Sequence, residues 1–160
     1  MLLACSVVLA APGWDGEREA GQARRDLKVL DVCRLVPGDA VAKAVGGALA
    51  EARPFFDKDG TLARCTYVVT LPGSGDTRQA YVIWIYPPAD FEELKAFTEG
   101  KMTAVPGLGD GAYSFQDPGD GRFKVRVLKR GEVTIEATAV TADGARNVAE
   151  AAVAAVSKAK

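Results

Sequence analysis

Apolar and polar positions alternate from Leu62 to Leu71, placing Cys65, Tyr67, Val69 and Leu71 on one face and predicting a half-buried strand. Gln79 to Tyr86 is apolar on both faces, the pattern of a central strand covered on both sides. Pro72 to Asp76 supplies the turn between them. Upstream, Pro37 followed by Gly-Asp-Ala-Val-Ala-Lys-Ala-Val-Gly-Gly predicts a short helix. Proline suits its first turn, Val41 and Val45 share a face, and Gly46 with Gly47 stops it. After Pro87 and Pro88, Asp90 is expected as an N-cap with Glu93 at the capping-box position and Gly100 beyond the end. Phe91, Leu94 and Phe97 recur at helical spacing and are expected to face the core.

A short strand is expected at Ala112 to Phe115, and a hairpin follows whose register can be worked out by arithmetic. With Lys129, Arg130 and Gly131 as the loop and Gly131 left-handed, Val127 faces Val133, Val125 faces Ile135 and Phe123 faces Ala137. Lys124 then lies across from Glu136 on the solvent face. Ala145, Val148, Ala149, Ala152, Val153 and Val156 form the stripe of a long amphipathic helix. The order gives an α+β fold, an antiparallel β-sheet of about five strands with about three helices packed on it. A single domain is expected over 29–160, after a polar linker at 12–28.

Residues 1–11 read differently. Leu2 to Ala11 is the length of a signal-peptide apolar region and too short to span a bilayer. Only Met1 precedes it, so the true start is expected further upstream. Cleavage near Ala10 and Ala11 is one reading. A second is a lipoprotein signal, in which Leu2-Leu3-Ala4 leads to a lipid-bearing Cys5. A buried N-terminal strand or helix is the third. Each leaves Cys33 and Cys65 as a pair, which implies an exported protein in an oxidising compartment. Cys33 precedes the first helix and Cys65 lies inward on the first strand, so a disulfide bond between them would pin helix to sheet.

Composition narrows the function. A net charge of -1 makes no electrostatic case for nucleic acid as a partner, and membrane association is expected only through a lipid at Cys5. The chain has no histidine, which removes a Ser-His-Asp triad, a Cys-His dyad and any histidine-ligated zinc site. Asp57-Lys58-Asp59-Gly60-Thr61 imitates the middle of a calcium loop, but the terminal ligand positions would be Phe55 and Thr66, so a plain turn is expected. Arg122, Lys124, Arg126 and Arg130 form a basic stripe, which interleaved Glu132 and Glu136 turn into a solvated strand face. Trp84, Tyr86 and Tyr113 are expected in the core.

Gly107-Leu108-Gly109-Asp110-Gly111 lacks the helix and the Gly-Lys-Ser/Thr element of a phosphate loop and reads as a constrained surface loop. Asp31-x-Cys33-x-Leu35, Asp39, Gly46, Cys65-x-Tyr67 and the Val105-x-Gly107-Leu108-Gly109-Asp110-x-Ala112-Tyr113 segment together resemble small bacterial cell-envelope lipoproteins of uncharacterised function, of the actinobacterial type. Similar two-layer domains serve as extracytoplasmic sensor domains of receptor kinases. The resemblance implies a Cys33 to Cys65 disulfide and a lipid on Cys5. It carries no reaction, catalytic residue, cofactor or metal. The expected function is therefore non-enzymatic binding of an envelope protein or small ligand through Gly107, Leu108, Gly109, Asp110 and Tyr113 with the adjoining sheet face. The alternatives are a hydrolase using Asp110 with Asp117 or Asp120, and a structural accessory subunit of an envelope complex.

Overall fold

The structure, a computed structural model, describes residues 30–56, 62–73, 77–98 and 101–159. The apolar N-terminal run with Cys5, the linker, the Asp57 to Thr61 segment, part of the Pro72 to Asp76 turn and Gly100 lie outside the described residues. The elements run α1 (Val32–Leu35), α2 (Gly38–Ala44), β1 (Ala48–Phe56), β2 (Ala63–Thr70), β3 (Arg78–Tyr86), α3 (Asp90–Ala96), β4 (Thr103–Ala104), β5 (Gly111–Gln116), β6 (Phe123–Lys129), β7 (Val133–Ala139) and α4 (Ala142–Lys158). The strands form one antiparallel sheet in the order β1-β2-β3-β7-β6-β5-β4.

The α+β class and the antiparallel sheet are as expected, but the described residues hold seven strands, not five, and four helices, not three. The additions are elements without a burial rhythm. β1 is an edge strand exposed along nearly all its length, with Pro54 inside it, so no alternation marks it. β4 has two residues. α1 is a single turn whose Asp31 side chain accepts from the Arg34 amide at 3.2 Å, and Cys33 lies within it rather than in a loop ahead of the first helix.

One side of the sheet carries most of the core. Cys65, Tyr67 and Val69 of β2, Ile83 and Ile85 of β3, Val125 and Val127 of β6 and Ile135 and Ala137 of β7 are buried there beneath α1, α2 and α4. α4 contributes Ala145, Val148, Ala149 and Ala152, whose small side chains let the helix axis approach β6 and β7. Each fully buried valine or isoleucine stabilises by about 1.5 to 3 kcal/mol. The Cys33–Cys65 disulfide, Cα to Cα 5.2 Å, ties α1 to β2. Beside it the Tyr67 hydroxyl donates to the Val36 carbonyl at 2.8 Å.

Two expectations are corrected by geometry. In the β6–β7 hairpin Lys129 pairs with Val133, Val127 with Ile135, Val125 with Ala137 and Phe123 with Ala139. The register is displaced by two from the expected one because the loop is Arg130, Gly131 and Glu132, with both Arg130 (φ 56°) and Gly131 (φ 62°) left-handed. A displacement of two keeps every side chain on its face but changes partners. Arg126, not Lys124, lies across from Glu136, and that face is buried, Glu136 being 3% exposed. In α3, Asp90 is the first helical residue and Ala89 the cap, with no side-chain cap bond. Only two turns form, so Phe91 is buried while Phe97, at the C-cap, is 76% exposed.

Candidate functional site

The glycine-rich segment is stitched to the β6–β7 hairpin. Val105 and Leu108 are buried in the helix-side core, and Gly109, at φ 65°, passes so close to β6 that a Cβ would strike the Leu128 carbonyl and the Val127 side chain. The Asp110 amide donates to the Leu128 carbonyl at 2.8 Å, and the Asp110 carboxylate accepts from the Gly131 amide at 3.0 Å. Tyr113 lies on the opposite side of the sheet, packed on Phe91 of α3. The structure therefore brings Gly109 and Asp110 against the hairpin, places Leu108 and Tyr113 on opposite sides of the sheet, and leaves Gly107 exposed with open space around it.

The carboxylates named for hydrolysis are likewise tied into turns. Asp117 accepts from the Gly119 amide at 2.8 Å and pairs with Lys124; the Lys124 bond and the Gly119 amide hold its carboxyl below the ordinary value. Asp120 accepts from the Arg122 amide at 2.9 Å. The basic stripe divides by environment. Lys124 is paired, Arg126 is half-buried, and exposed Arg130 donates to the Ser157 carbonyl at 3.2 Å.

On the side away from α4, one transverse row crosses six strands: Phe55, Arg64, Trp84, Glu136, Arg126 and Tyr113 are successive cross-strand partners. The Arg64 guanidinium lies 4.3 Å from the Phe55 ring centre and 4.6 Å from that of Trp84. Arg126 pairs with Glu136 and donates to the Leu94 carbonyl at 2.8 Å, the Thr98 hydroxyl at 2.7 Å and the Tyr113 hydroxyl at 3.1 Å. Burial works against its charge, but the Glu136 carboxylate and Tyr113 outweigh that and hold the guanidinium above its ordinary value. One arginine thus anchors α3 to the sheet. Alternation within β6 and β7 put Arg126 and Glu136 on one face in the sequence; only the register hid their pairing.

The largest described cavity is on the other side. Seven strands at about 4.8 Å spacing span about 29 Å between the outer two, and one helix covers about two strands. α1 and α2 lie over β1 to β3 and α4 over β6 and β7, so the described helices leave β5 and β4 largely uncovered on that side. A cleft of about 640 Å³ fills the gap. Ser114, Phe123 and Val125 are at its base, the first turn of α4 with Arg146 forms one wall, and Val105 and Pro106 form the other. Lys101 and Asp143 add charge to the lining. Its volume lies in the range of small-molecule sites, and its lining is shared evenly between apolar side chains such as Phe123 and Val125 and polar or charged ones such as Ser114 and Arg146. No sequence signal marks it, since the uncovered strip follows from a strand count that the hydrophobic pattern understated.

Among the described residues no helix is long and apolar enough to cross a membrane. No family model, curated protein or solved structure matches the chain.

Proposed function

We propose that this is an exported, non-enzymatic domain of the cell envelope that binds a small molecule with an apolar body and a polar end in the cleft between α4 and β4–β6. The cleft carries the proposal: it is large enough for such a ligand, apolar at Phe123, Val125, Val105 and Pro106 and polar at Lys101, Ser114 and Arg146. It adjoins the glycine-rich segment through Val105 and Pro106, so that segment acts as a wall held in place by the hairpin. Export is supported by the Cys33–Cys65 disulfide, which persists in an oxidising compartment. It agrees with the resemblance to envelope lipoproteins, under which Cys5 bears the lipid. The non-enzymatic reading is supported by a sequence without histidine and by aspartates committed to turn amides.

Native mass spectrometry of protein purified from its own envelope should show a retained adduct. The same sample gives the mature N-terminus and any lipid on Cys5. Anilinonaphthalene sulfonate, an apolar body with a polar end, should bind the folded protein. Ala142→Trp, which projects bulk into the cleft from an exposed position, should weaken that binding at least about tenfold, or about 1.4 kcal/mol, with little change in melting temperature. Absence of an adduct together with dye binding indifferent to Ala142→Trp would sink the proposal.

A further inference from the structure

The outer edge of β1 is a second binding feature, independent of the cleft. Among the described residues β1, nine residues long, pairs on one side only, with β2, and is exposed at all but one position, Phe55 and Phe56 being 42% and 47% exposed. Pro54 pairs with Cys65 and has no N–H to offer β2, so its backbone turns to the open edge. Ala52, two residues earlier in the ladder, turns the same way and presents both its N–H and its C=O. Glu51 and Arg53, which flank it, are on the side of the sheet away from α1 and α2 and are hydrogen-bonded to each other.

We infer that β1 pairs antiparallel with β1 of a second copy of this chain about a two-fold axis at Ala52. In that register Ala52 of each chain exchanges both backbone bonds with Ala52 of the other, and Glu51 of each lies opposite Arg53 of the other. The self-pairing thus places opposite charges together twice, whereas centring on Glu51 or Arg53 would set like charges face to face. Pro54 withdraws one donor, and the bulge between Leu49 and Glu51 ends regular pairing on the other side. The contact is therefore short. The opposite edge, β4, has two residues and offers no comparable template, so the assembly closes as a dimer instead of growing into a fibre.

A contact this small gives a weak dimer, with Kd on the order of 0.1 mM. Sedimentation velocity of the full-length protein from about 10 µM to about 1 mM should show monomer converting to dimer. Glu51→Arg and Arg53→Glu, each creating like-charge neighbours, should each weaken the dimer about tenfold, and the double exchange should restore it to within about threefold. Circular dichroism melts establish that each variant is folded. A wild-type protein monomeric across the range, single reversals without effect, or a double exchange that fails to restore dimerisation would each overturn the proposal.

Discussion

Arg126 holds more of the molecule together than its place in a basic stripe suggested. Its side chain is 11% exposed and that of Glu136 4%, so removing either leaves an unpaired charge in a poorly solvated place. Arg126→Ala should destabilise by about 3 kcal/mol, read by urea denaturation, and should release α3. A double Arg126→Met and Glu136→Leu replacement should cost much less, since an apolar pair leaves nothing unpaired. A single-mutant cost no larger than that of the double would refute the assignment. Tyr67 and Tyr86 make a pH-dependent contribution. Burial pushes both phenols well above the ordinary value of 10.0, with Asp31 adding to the rise at Tyr67 and Glu136 at Tyr86. In the unfolded chain they ionise near pH 10, while in the fold they stay neutral, so their contribution is whole below pH 10 and is lost as pH rises above it. Tyr67→Phe should cost about 1 kcal/mol at pH 7, from the lost bond to Val36, yet lose less stability between pH 9 and pH 11 than the parent. Parallel pH curves for the two would contradict this.

At the level of elements, the legible parts were those with a burial rhythm. β2 and α4 announced themselves by strict periods, and the inward position of Cys65 followed from the first of these. β1 did not, because an edge strand with one lightly covered face has no apolar alternation to display. The hairpin's faces were readable but its partners were not, since a loop shifted by one residue moves each pairing by two while preserving the inside and outside sets. The glycine-rich segment was recognised as constrained, and its constraint is close approach rather than exposure. Gly109→Ala combines a left-handed backbone with a collision against Leu128 and Val127 and should destabilise by about 3 kcal/mol or more. Gly107→Ala, with the same backbone sign and open space, should cost about 1 kcal/mol. Equal costs in thermal melts would show that the approach to β6 does not matter. Replacing both Cys33 and Cys65 by Ala opens a 32-residue loop and should lower stability by about 3 to 4 kcal/mol in denaturant titrations.

For the whole molecule, the general architecture was readable from hairpins and short links, whereas the cleft was not, because it depends on how many strands the helix layer fails to cover. Local sequence carries no information on that mismatch of widths. The strand order has a consequence for how the chain is made. β1, β2 and β3 are neighbours in sequence and in the sheet, and so are β4 to β7, but β3 joins β7 across roughly fifty residues. A chain emerging N-terminus first completes α1, α2 and one meander, with both cysteines of the Cys33–Cys65 bond already present, before β7 exists. Until then the inner edge of β3, rich in Val82, Ile83, Trp84 and Ile85, has no neighbour. The moment of greatest danger in this protein's life is therefore the interval between β3 and β7. Nascent chains halted near residue 130 should already hold the disulfide yet bind holdase chaperones strongly, and those extended past α4 should let them go.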